Sequence, residues 1–263
     1  PIVGIVNEDR ALFGTLTKNP LAATYYGLIA SVGIGCVGAC FSRSISVLYR
    51  LLFAVIVCLS LLIVIHLVNR GGLIILGFCL VLSILVFYWK NPGKLLITLL
   101  SVSVLTLALF KFELISNDLI LAYEHRDDIQ GFDTMSAGGR TERWLMYLSD
   151  LFQNPLGWKQ DLYAHNLWLD MARVGGWFAL LPFMMVTIRC IKKLIYLFKY
   201  ANSSFTIVVL ILNIALLLSS FIEPVLDASI FFFSLMMCFW GMISSLYKEN
   251  VHLHQSTVLP WPC

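Results

Sequence analysis

Charge is what this chain has least of. Only 13% of its 263 residues are charged, against 59% hydrophobic, and the mean hydropathy is +0.86. A water-soluble globular domain carries about a quarter charged residues, so that class is excluded. The seven cysteines are dispersed. Cys36, Cys40, Cys58, Cys79, Cys190 and Cys238 lie in or at the ends of apolar blocks, and Cys263 is the last residue. No CxxC pair and no ligand-like cluster with histidine occurs, so neither a zinc site nor a disulfide framework is expected, and cysteine serves as a small packing residue. No metal, cofactor or nucleic-acid partner is expected. The chain opens at Pro1 without a basic, apolar and small-residue leader pattern, and reads as the C-terminal part of a longer protein.

What is there is a series of apolar blocks, each of about the length that crosses a hydrocarbon core of ~30 Å. After a polar lead-in over 1–20, spans are expected over 21–41, 47–68, 73–88 and 95–110. A long polar interval follows, then spans over 167–188, 205–222 and 230–246, and a cytoplasmic tail over 247–263. The expected fold is an all-helical, polytopic membrane bundle with one larger, partly helical external loop over 111–166. In the first span Gly27, Ser31, Gly35 and Ala39 recur every four residues, a spacing that lines one face and admits a close neighbour. Within the long interval, Trp144, Leu145, Leu148, Leu151 and Phe152 fall near helical spacing and predict a short amphipathic helix over 142–152 at the membrane surface. The spans are read as nearly free of ionisable residues apart from His66.

Placement of charge sets the orientation. Alternate loops hold Arg43 and Arg50, Lys90 and Lys94, Arg189, Lys192, Lys193 and Lys199, and Lys248, and are almost purely basic. By the positive-inside rule they are cytoplasmic. The lead-in, the Arg70 turn, the long interval and Glu223–Asp227 then face outward, which places Arg10, Arg70, Arg140, Arg143 and His165 together on the outer side.

Residues of these types suit a lipid-borne, phosphorylated substrate. A guanidinium stays charged and grips phosphate oxygens bidentately, which makes Arg140 the candidate for a leaving diphosphate. His165, at the start of a span, is the candidate general base for an acceptor hydroxyl. Asn166 is placed to orient that ring or to bind a sugar hydroxyl. Arg143 reads as a headgroup or substrate contact, and the run His125–Asp128 as a solvated loop. Trp158, Trp168 and Trp177 suit an aromatic belt, with Trp158 or Tyr163 able to stack on sugars.

The order Arg140, Trp144, Asn154-Pro155-Leu156-Gly157, His165-Asn166 and Gly175-Gly176 resembles the signature half of the bacterial O-antigen ligase and O-antigen polymerase family. Arg10 with Gly14, Asn19 and Pro20 resembles that family's lead-in, and Asn69-Arg70-Gly71-Gly72 its Ser-Arg-Gly turn with asparagine in place of serine. The chain departs from the pattern at Leu156-Gly157-Trp158, where many members carry glycine-x-glycine. The resemblance implies a metal-independent transferase in the bacterial inner membrane with its site facing the periplasm. Its donor would be a polyprenyl-diphosphate-linked glycan, and its acceptor a second glycan, a lipid A core or a protein. It also implies that Arg70 and Arg140 hold the diphosphate while His165 activates the acceptor. The alternatives from other classes are a transporter or flippase of lipid-linked glycans, which would show intramembrane charged pairs and paired helix breaks, and a structural membrane subunit.

Overall fold

Backbone groups in hydrocarbon must be satisfied within their own segment, which leaves helices as the spanning element for such a chain. The computed structural model describes residues 12–13, 20–21, 23–42, 44–67, 69–89, 91–111, 140–159, 164–200 and 203–258. Arg10, His125–Asp128 and Tyr163 lie outside these residues. Strands β1 (Leu12–Phe13) and β2 (Pro20–Leu21) form a short antiparallel pair. The helices are α1 (Ala23–Gly35), α2 (Val37–Phe41), α3 (Val47–His66), α4 (Arg70–Tyr88), α5 (Pro92–Lys111) and α6 (Arg140–Gln153). They continue as α7 (Leu167–Tyr200), α8 (Ser204–Ile222), α9 (Val225–Ala228) and α10 (Ile230–Val258). Among the described residues five helices are long and apolar enough to cross a membrane: Val47–Ile65, Arg70–Tyr88, Leu167–Tyr200, Ser204–Ile222 and Ile230–His252.

Helix α8 is apolar on every side, and such a helix belongs in the interior. Its Val209, Leu212 and Leu216 join one core with Leu28 of α1, Trp168 and Phe183 of α7, and Phe232 and Met236 of α10. Its Ile211 and Ala215 join a second with Ala30 and Ile34 of α1 and Ile75 and Cys79 of α4. The outward faces of α3, α4 and α7 carry exposed Leu48, Leu62, Phe78, Phe178 and Leu181, as lipid-facing helices do.

Several boundaries differ from the sequence reading, three of them by enough to change the packing. The block expected as one span over 21–41 is broken at Cys36, whose N–H bonds to the Gly33 carbonyl at 3.0 Å. The four-residue spacing therefore does not keep one face as far as Ala39. The small residues still admit close neighbours, but several of them. Gly33 lies against Ser60 of α3, Gly35 against Leu212 and Gly38 against Ile211 of α8. The blocks expected to end at 188 and 246 run on as helix to Tyr200 and Val258. There the two helices share contacts that hydropathy does not register: Lys193 Nζ donates to Ser244 Oγ at 2.8 Å, and Tyr196 packs edge-on against Tyr247 at 4.9 Å. The expected tail over 247–263 thus begins as helix.

A Cβ at Gly35 would stand 2.9 Å from the Leu212 backbone. Gly35→Leu is expected to destabilise the bundle at the upper end of the ~1–3 kcal/mol usual for overpacking. Gly77, where nothing lies within 4 Å, gives the control: Gly77→Leu should stay within about 0.5 kcal/mol. Thermal unfolding in detergent reads both, and equal melting of the two variants would contradict this packing.

Candidate functional site

The segment 167–188, expected as a straight span, is bent back on itself. Gly175 (φ −142°, ψ 21°) and Gly176 (φ 56°, ψ −144°) are non-helical, and the second conformation is open to glycine alone. Trp168 Nε1 donates to Thr187 Oγ1 at 3.0 Å. Nineteen residues of continuous helix would hold them about 28 Å apart. The limb 167–174 therefore folds against the limb 177–200.

A break of this kind releases backbone groups that must find partners. The Arg173 carbonyl and the Trp177 N–H, partners in an unbroken helix, each bond to the turn after α6. Trp158 N–H donates to Arg173 O at 2.9 Å, and Trp177 N–H donates to Pro155 O at 3.0 Å. Gly157 (φ 102°) shapes that turn. The Asn-Pro-Leu-Gly and Gly-Gly elements of the sequence are thus two halves of one backbone clasp, which seats α6 on α7. Tyr147 and Leu151, both buried, fill the seam, and burial, with the Asp170 carboxylate adding, pushes the Tyr147 phenol up to about 12.

His165 is held just before the folded-back limb. Its φ of 53° is left-handed, a conformation that costs a non-glycine residue about 1–3 kcal/mol and persists only where its surroundings enforce it. Both backbone groups of the preceding residue are fastened. Ala164 N–H donates to Asp170 Oδ1 at 3.1 Å, and the Ala164 carbonyl accepts from Trp144 Nε1 at 2.7 Å. On the other side Asn166 Oδ1 accepts from the N–H groups of Trp168 (3.1 Å) and Leu169 (3.3 Å). Asn166, expected to orient the ring or touch substrate, is the N-cap of α7, and its Oδ1 is committed to that cap.

The Arg70 turn and Arg140 meet His165 through a residue the sequence reading left in a loop. Glu223 follows the last residue of α8 and is buried. Its Oε1 accepts from Asn69 Nδ2 at 3.3 Å, and its Oε2 stands 4.0 Å from His165 Nδ1. Asn69 also caps α4, accepting from Gly72 N–H at 3.0 Å, so Arg70 is the first residue of that helix. Arg140 is the first residue of α6. Burial lowers its affinity for its proton, the Glu223 charge opposes that, and Arg143 adds to it, so the three charges share one neighbourhood. Three helix N-termini, those of α4, α6 and α7, converge here on one carboxylate.

A second charged group lies beside the break. Asp170 and Arg173 stand in a segment read as nearly free of ionisable residues. Asp170 is fully buried, Arg173 Nε lies 3.9 Å from its Oδ1, and the Arg173 NH2 nitrogen bonds both oxygens of Asp227 at 2.8 and 2.7 Å. This ties the folded limb to α9. Of the tryptophans expected in an aromatic belt, Trp168 is buried, stacked on Phe221 at 4.1 Å, and Trp158 packs edge-on to Tyr147. Among the described residues no group of three histidine, cysteine, aspartate or glutamate side chains is arranged to hold a metal. No protein-family model, curated protein or solved structure matches the chain.

Proposed function

We propose that the chain forms part of a membrane glycosyltransferase of the O-antigen ligase and polymerase type, which takes its glycan from a polyprenyl-diphosphate carrier on the outer face of the bacterial inner membrane. The observation that carries this reading is the meeting of three helix N-termini, with arginine as the first residue of two of them and His165 before the third. A helix N-terminus is already an anion site, and a cation there opposes the helix dipole by about 0.3–1 kcal/mol. Arg70 and Arg140 are poor choices for stability and good ones for a diphosphate.

In this reading the acceptor hydroxyl attacks the anomeric carbon. The new C–O bond forms as the bond to the diphosphate breaks, the electron pair leaves with the diphosphate between Arg140 and Arg70, and the hydroxyl proton passes to His165. Arg143, in the first turn of α6, extends the positive field toward the carrier's headgroup. Arg10 belongs to the same proposal through the resemblance alone. The basic run Arg189–Lys199 and Lys248 lies near the opposite ends of α7 and α10, where Tyr196 meets Tyr247, which supports an outward-facing site.

Transport of lipid-linked glycans is the second reading, favoured by the broken α7 and the charges beside it. Against it, the backbone groups freed at the break bond to the 155–158 turn rather than lining a path for an ion or substrate.

Complementation of a strain lacking the gene tests the proposal. The intact gene should restore surface glycan, whereas His165→Ala and Arg140→Ala at matched membrane levels should lose it. A positioned base contributes about 10²–10⁴ in rate, and a charge aimed at the leaving group about 10²–10³. Accumulated single-repeat carrier glycans would then indicate a polymerase, and accumulated full-length carrier-linked chains a ligase. Normal glycan from both variants would return the site to a structural role.

A further inference from the structure

We propose that Glu223 is the positioning residue for His165 and the resident counter-charge of Arg140, so that the three side chains act as one unit. The carboxylate stands where local rules disfavour it, at the negative end of the α8 dipole, and it is buried. A buried carboxylate persists when it is paired and hydrogen-bonded. Its partners come from three other elements: Asn69 before α4 at 3.3 Å, His165 before α7 at 4.0 Å, and Arg140 at the start of α6, one turn before the Trp144 that bonds the Ala164 carbonyl at 2.7 Å.

The geometry has a chemical consequence. At 4.0 Å the pair is a charge contact rather than a hydrogen bond; the carboxylate's field favours the proton on the near nitrogen, Nδ1, and leaves Nε2 to take the acceptor's proton. That proton moves from the hydroxyl to Nε2 as the new C–O bond forms and the diphosphate leaves with its electron pair. The imidazolium so formed lies beside Glu223, which stays ionised. A bound diphosphate competes for Arg140 and leaves the Glu223 charge to His165. The rate effect rests on the transferase reading above, and the effect on the imidazole does not.

The charged groups gathered at this end are Glu223 after α8, Arg140, Glu142 and Arg143 on α6, Arg70 on α4, and Asp170, Arg173 and Asp227 around the folded limb of α7. Removing only the Glu223 charge tips the balance toward the positive, so protonation of His165 becomes harder. Glu223→Gln keeps the shape and an oxygen for Asn69 while removing that charge. The full-length protein in phosphatidylethanolamine and phosphatidylglycerol nanodiscs would be treated with diethyl pyrocarbonate across pH. This reagent modifies neutral imidazole, and the His165 peptide is read by mass spectrometry.

Glu223→Gln is expected to move the midpoint of His165 modification down by about one pH unit, the lower end of the ~1–3 expected for an opposite charge at this range. With carrier-linked glycan extracted from cells lacking the gene as donor, kcat should fall at least about tenfold with KM changed less, and Glu223→Asp should recover part of both. A shifted midpoint in a protein that transfers no glycan upholds the pair and sinks the transferase reading. An unshifted midpoint in a folded Glu223→Gln protein overturns the proposal, whatever happens to transfer.

Discussion

Gly176→Ala is expected to unseat the outer end of the bundle, with a loss of about 4 kcal/mol or more and little folded protein recovered. The position needs φ 56° with ψ −144°, which costs an alanine about 1–3 kcal/mol. The added methyl would also collide with the Pro155 carbonyl oxygen. If the turn withdraws, the bonds Trp177 N–H to Pro155 O and Trp158 N–H to Arg173 O go with it. Each is worth about 0.5–1.5 kcal/mol, and an orphaned buried group costs more. Gly175→Ala is the comparison. Its φ of −142° is ordinary backbone, and its new methyl meets the Ala179 side chain, so a milder loss is expected. Thermal unfolding of both variants in detergent decides this, and a Gly176→Ala protein melting within about 1 °C of the parent would refute the clasp.

Asp170→Ala carries the second large effect, because it reaches both stability and the site. The carboxylate is fully buried, accepts from Ala164 N–H at 3.1 Å and faces Arg173. Removing it orphans a buried N–H, at about 1–3 kcal/mol, and leaves the Arg173 charge with one carboxylate instead of two. A total of about 2–4 kcal/mol is expected. It also loosens Ala164, the residue next to the left-handed His165, so in the transferase proposed above glycan transfer should drop further than the loss of folded protein explains. Asp170→Asn keeps an acceptor for Ala164 and should lose less than about 1.5 kcal/mol. Equal melting of Asp170→Ala and the parent would show that the Ala164 bond holds nothing in place.

Much of the architecture was legible because it is set by local chemistry. Apolar block length marked seven spans, of which five are described helices long and apolar enough to cross a membrane, and the spacing of Trp144, Leu148 and Leu151 marked α6, which begins two residues earlier than expected. Charge in the alternate loops placed Arg70, Arg140 and His165 on one side, and the structure brings them to one end of the bundle. The reversal at Gly175–Gly176 was hidden, since an apolar run reads alike whether it crosses straight or folds against itself. Its partner turn, Pro155 to Trp158, looked like a loop for the same reason: backbone-to-backbone bonds leave no mark on side-chain pattern. Asp170 and Arg173 lie inside a strongly apolar segment whose mean hydropathy masks two opposite charges.

What the chain determines by itself is which residues avoid water and which conformations its glycines allow, since hydropathy and backbone freedom belong to each residue. The meeting of Arg70, Arg140, His165 and Glu223 belongs to the tertiary structure alone. Each of the three charged residues sits at the end of a helix whose dipole disfavours it, so no local rule would have placed it there. Glu223 meets its partners only after packing has brought it to Asn69, 154 residues away in sequence, and attraction between charges acts over ångströms of space rather than positions in a chain.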